Sequence, residues 1–143
     1  MKNPYAQVQL ISTNSLTLFA SGGTQSAVAS LNGSIATHNA AVTQWESEYS
    51  TATSAECDPT TAIATAASLS SQRLALAVEA ATLLASKIAL RATIRADYQA
   101  APAPTQRAAS QCGLPALDEA AADTDESNTI QNGLALCMAA AIG

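Results

Sequence analysis

Positive charge is scarce in this chain. Six Lys and Arg face eleven Asp and Glu in 143 residues, for a net charge of −5. Nucleic acids and anionic membranes are both bound mainly through basic side chains, so neither is an expected partner. Aromatics are limited to Tyr5, Phe19, Trp45, Tyr49 and Tyr98. A single histidine, His38, leaves little material for a nucleophile, base and orienting group to be brought together. There is no phosphate-cradling glycine loop, no G-x-S-x-G elbow and no H-E-x-x-H zinc helix. No catalytic, cofactor or metal site is expected, and the chain is not read as an enzyme.

Three cysteines, Cys57, Cys112 and Cys137, lack the even count and close spacing of a secreted disulfide framework. Together with His38 they match a Cys3His zinc set in number, but no close ligand pair is present to present two thiolates to one ion. Reduced thiols in small apolar sites are the main expectation, and a disulfide from Cys112 to Cys137 or to Cys57 is the rival. No uninterrupted apolar leader follows Met1-Lys2, so synthesis and retention in the cytosol are expected. The most apolar stretch, Leu74 to Ile94, is interrupted by Glu79, Lys87 and Arg91 and is read as a buried helix, not a membrane span.

What is abundant is alanine, about a quarter of the chain. Alanine is the strongest helix former but buries one methyl where leucine buries a large side chain. The fold class predicted is therefore all-α, built from helices that need many neighbours. Val28, Leu31, Ile35, His38, Val42, Trp45 and Tyr49 follow alternating steps of three and four, which sets them on one seam of a helix. Asn32-Gly33 is a soft spot within it, because glycine inside a helix costs about 1 kcal/mol relative to alanine. His38 falls between Ile35 and Val42 and is expected to be a buried polar residue that fixes register. Glu46 and Glu48, two apart on the helix, point away from each other and belong to a solvated face.

Cys57-Asp58-Pro59 breaks the pattern, with Asp58 as cap and Pro59 as first residue of a second helix running to about Gln99. Leu69, Leu76, Leu83 and Leu90 form one stripe along it. Leu74, Val78, Ala81, Leu84 and Ile88 form a second apolar face on nearly the opposite side, the candidate surface for an oligomer or partner. The two helices make an antiparallel hairpin about 40 Å long, covering residues 24–99. Residues 1–23 fit either a helix from Asn3-Pro4 to Gly22-Gly23, the favoured version, or a short β-hairpin turning at Thr13-Asn14. Residues 100–116, with Ala100-Ala101-Pro102-Ala103-Pro104, are expected to be a stiff linker. Residues 117–143 hold an acidic stretch that lacks the ligand spacing of a calcium loop. A short helix from about Thr129 to Ile142 follows, with Leu134, Met138 and Ile142 on one face and packing on the hairpin.

On its composition and heptads, across the whole chain, the sequence resembles small helical structural proteins of tailed-bacteriophage virions. That resemblance implies assembly in a host cytosol, location in the virion, multiple copies, and contacts with its own copies and with other structural proteins. The stretch Val28-Ala29-Ser30-Leu31-Asn32 is similar to flagellin helices, which makes a pilus-like or flagellum-like filament subunit an alternative. A second alternative is a helical adaptor or assembly chaperone using its spare apolar face.

Overall fold

A computed structural model describes residues 7–54, 59–112, 126 and 128–132; for 51–54 and 59–66 the helical backbone alone is described. The described residues are helices and connecting segments without a strand. Among the described residues four helices have defined bounds: α1 (Leu16–Phe19), α2 (Gly22–Ser54), α3 (Pro59–Ala100) and α4 (Ala103–Gln111). The fold is all-α, and α2 with α3 forms the long hairpin. Trp45 meets Leu69, His38 meets Glu79 and Thr24 meets Asp97, so the two helices run antiparallel. Their 33 and 42 residues correspond to rods of about 50 and 63 Å. Pro59 opens α3, where a missing N–H costs nothing; the expected turn at residues 57–58 lies outside the described residues.

All seven seam residues of α2 turn inward. Val28, Ile35, His38, Val42 and Trp45 are buried, and Leu31 and Tyr49 are half-buried. The buried line of α3 is less apolar than its leucine stripe suggested. Leu69 is buried, but Leu76, Leu83 and Leu90 are only half-buried, and the centre of the contact is held by Ala77, Ala80, Leu84, Lys87, Arg91 and Ile94. Alanines at the contact let two helix backbones approach closely, toward the lower end of the usual 8–10 Å range. Trp45 is fixed by donating from Nε1 to the Leu69 carbonyl at 2.9 Å, by stacking on Tyr49, and by the Arg73 guanidinium 5.9 Å from its ring centre.

The N-terminal segment is neither the helix nor the β-hairpin expected of it. The chain does turn at Asn14-Ser15, with Ser15 in the left-handed region at φ 66°. The stretch before the turn, however, pairs with side chains of α2 instead of a second strand. Asn39 accepts from the Val8 N–H at 2.9 Å and donates to the Val8 carbonyl at 2.7 Å. Asn32 does the same for Ile11, at 2.8 and 2.9 Å. Three extended residues span about 10 Å and seven helical residues rise about 10.5 Å, so the two asparagine amides are spaced to meet backbone groups three residues apart on the segment. Val8 and Ile11 are thereby pressed into the core, Val8 with Ile35, Ala80, Leu84 and Ile130, and Ile11 with Leu16, Ala20, Val28 and Ile94.

Gly22-Gly23 also has a different role: it begins α2 instead of ending a preceding helix. Ser21 is the N-cap, its Oγ accepting the Thr24 N–H at 3.1 Å. The expected linker is likewise replaced. Pro102 and Pro104 open α4, tolerated there because the first N–H groups of a helix have no internal partner. Gln106 of α4 reaches back with Nε2 to the carbonyls of Tyr98 and Ala101 at 3.0 and 2.9 Å, fixing the turn between α3 and α4. Phe19 packs edge-on against Tyr98, tying α1 to the same corner. Residues 128–132 are helical, with Ile130 buried on the hairpin; Leu134, Met138 and Ile142 lie outside the described residues.

Two substitutions test this architecture. A Cβ on Gly33 would meet nothing within 4 Å, so Gly33→Ala is expected to raise stability by about 0.5–1 kcal/mol in urea unfolding. Asn39→Asp keeps an acceptor for the Val8 N–H but sets a carboxylate against the Val8 carbonyl. A loss of about 1–3 kcal/mol is expected, and wild-type stability in this variant would show that the amide does not hold the segment.

Candidate functional site

Among the described residues, polar groups with defined partners are built into the apolar frame at three places. The first is His38 with Glu79. His38 projects from the seam of α2 and is 2% exposed, while Glu79 stands at the edge of α3 with its side chain 56% exposed. His38 Nδ1 and the Glu79 carboxylate are hydrogen-bonded. A carboxylate on one imidazole nitrogen fixes the ring and its tautomer, which is the orienting half of a general-base arrangement. The hydroxyls nearby serve the backbone instead: Ser34 donates to the Ser30 carbonyl at 3.3 Å and Thr37 to that of Gly33 at 3.1 Å. The pair thus joins α2 to α3 at one register.

The second group is Lys87, 1% exposed at the centre of the α3 contact line. Its stem fills space that a leucine would otherwise occupy, and its Nζ lies 3.4 Å from Glu126 Oε2. The other oxygen of Glu126 accepts the Gln9 N–H at 3.2 Å. One carboxylate therefore links the N-terminal segment, α3 and the region near residue 126. Removing either partner of such a buried ion pair leaves an uncompensated charge in the interior, which is strongly destabilising.

Asp97 forms the third group. Its Oδ2 accepts the Thr24 hydroxyl at 2.6 Å and the Ser21 N–H at 3.0 Å. In an ordinary capping box a Glu three residues into the helix bonds back to the N-cap N–H; here a carboxylate from α3 takes that place. The Thr24 hydroxyl first, then the Ser21 N–H and more weakly the Ser21 hydroxyl, hold the Asp97 carboxyl below the usual range, against the opposing effect of burial.

The candidate partner face of α3 is only partly free. Val78 is 49% and Ile88 46% exposed, and Leu74 and Ala81 are half-buried, but Leu84 belongs to the core beneath Ile35 and Val8. The face is therefore narrower than the spacing implied, because Leu84 lies nearest the helix contact. Cys112 is an exposed free thiol at the end of α4; Cys57 and Cys137 lie outside the described residues. Among the described residues no group of three or more His, Cys, Asp or Glu is arranged to hold a metal ion. Nor is any helix among them long and apolar enough to cross a membrane.

The asparagine pair and the shared carboxylates were not singled out by sequence reasoning. Ser21-Gly22-Gly23-Thr24 does carry an N-cap signal in Ser21, which the two glycines masked by suggesting a helix end. No family model, curated protein or solved structure matches the chain.

The Asp97 cap has a definite pH signature. Its folded pKa is depressed, so its contribution is fully present above the unfolded value, about 3.9, and is lost as pH falls through the lowered folded value. Thermal melts of the wild type from neutral pH to pH 2 are expected to show this extra acid lability, and Asp97→Asn should be less stable at neutral pH and less acid-sensitive below about pH 4. Parallel pH profiles for the two proteins would remove the cap as a source of the effect.

Proposed function

We propose that the protein is a non-catalytic structural subunit of a larger assembly, acting through helix packing in the manner of a minor virion component of a tailed bacteriophage. The observation that carries this reading is the outward face of α3. Val78 and Ile88 stand about half exposed, ten residues apart, which is about 15 Å along the helix. Both sit on a rod whose own core is already closed by Val8, Ile35, Leu84 and Ile130. The apolar line is thus surplus to the single chain and suits contact between copies. Supporting it are the small-residue composition and the investment of the buried polar groups in joining segments: His38 to Glu79, Lys87 to Glu126, Asp97 to Ser21 and Thr24.

Sedimentation velocity over a concentration series tests the reading. Concentration-dependent association is expected, reverting toward monomer in Val78→Asp combined with Ile88→Asp while helicity by circular dichroism is retained. A strict monomer at high concentration would oppose it and favour the adaptor alternative.

A further inference from the structure

The hairpin has two long flanks, and they are treated differently. One is covered by the clamped N-terminal segment and by residues 128–132, which meet α2 and α3 through Asn32, Asn39, Ala80 and Leu84. The opposite flank, reached by turning the other way around both helices, is an open groove. It consists of two successive hollows of about 650 and 320 Å³, the first floored by His38 and Leu83 and the second by Trp45 and Leu76. Its walls are low where Ser34, Ala41 and Ala75 line it, which is what lets a third helix lie close.

Two carboxylates stand at the rims of this groove, and the guanidinium of Arg73, against the Trp45 ring, lines neither hollow. Glu79 stands on the α3 rim and Glu48 on the α2 rim; the hydrogen bonds from His38 and Gln44 engage only Oε1 of each. Among the described residues no Lys or Arg lines either hollow. Glu48 lies ten residues beyond His38, about 15 Å along the groove from Glu79. A second copy of the groove would bring the same two carboxylates and, among the described lining residues, no Lys or Arg to meet them. We propose that this flank docks an amphipathic helix of another protein, one with a small apolar stripe and a basic residue on each side, about three turns apart. The inference holds whether or not the outward face of α3 mediates self-association, because it uses a different surface.

The chain supplies its own reporter, since Trp45 is its single tryptophan and lines the groove. The probe is a synthetic helix with an Ala/Leu stripe flanked by arginines at that spacing, titrated into the full chain while tryptophan emission is followed. A saturable change is expected, weakening as salt is raised. Glu48→Lys should weaken binding by about fivefold. Ala41→Phe or Ala75→Phe, each placing a ring in the groove from an exposed position, should abolish it with helicity intact. Three results would overturn the proposal: equal binding of a control peptide with Glu for Arg, undiminished binding by both Phe variants, or a Trp45 signal that shifts with protein concentration alone. The last would assign the groove to a second copy.

Discussion

Small side chains at the helix contact are the constraint from which the rest of the structure follows. Ala77 and Ala80 are buried at the centre of α3, Ala80 in one cluster with Ile35 of α2, but each buries one methyl. A contact of that kind is close-packed yet weakly specified, because the single methyls of α3 give the opposing side chains of α2 little to distinguish one register from the next. The long hairpin therefore needs groups that distinguish one register from the next. His38 with Glu79, the Trp45 indole with the Leu69 carbonyl, and Asp97 with Ser21 and Thr24 meet that need at successive levels along the rod.

The same constraint explains why the N-terminal segment lies where it does. An alanine-rich hairpin leaves its flank underfilled, and Val8, Ile11 and Leu16 supply the bulk that the two helices lack. An extended segment placed there brings unpaired backbone groups into partly buried positions, where each orphan costs about 1–3 kcal/mol. Asn32 and Asn39 resolve this because an amide side chain carries both a donor and an acceptor, as a neighbouring strand would. Serine or threonine at those positions could not answer both groups with the same geometry. Glu126 completes the arrangement by neutralising Lys87 and receiving the Gln9 N–H.

The helices were legible because their signals are periodic and local. The seam from Val28 to Tyr49 and Pro59 at the head of α3 needed no knowledge of neighbours. The parts that escaped depend on distant partners. Asn32 appeared only as half of a turn dipeptide, since its bond to Ile11 is set by how the N-terminal segment returns along the helix. Lys87 and Arg91 appeared as interruptions of an apolar stretch, whereas the structure buries both at the helix contact. Pro102 and Pro104 suggested an extended linker because proline favours both linkers and first helical turns, and Gln106 fixing the turn between α3 and α4 decides between them only in three dimensions.

An asymmetry between the flanks gives the molecule its direction. One flank is finished with residues from far along the chain, so it is complete within a single copy. The opposite flank keeps its hollows beside Trp45 and His38, and the outward side of α3 keeps Val78 and Ile88 in solvent. Leaving both surfaces uncovered costs hydrophobic stabilisation that an alanine-rich chain has little of to spare. A rod whose register is fixed by buried polar pairs, and whose unfilled surfaces lie on definite sides, can meet neighbours in one orientation without first rearranging its own core. On the proposed reading, rigidity of that kind would lower the ordering cost of association and so link the polar pairs inside the hairpin to the apolar residues outside it.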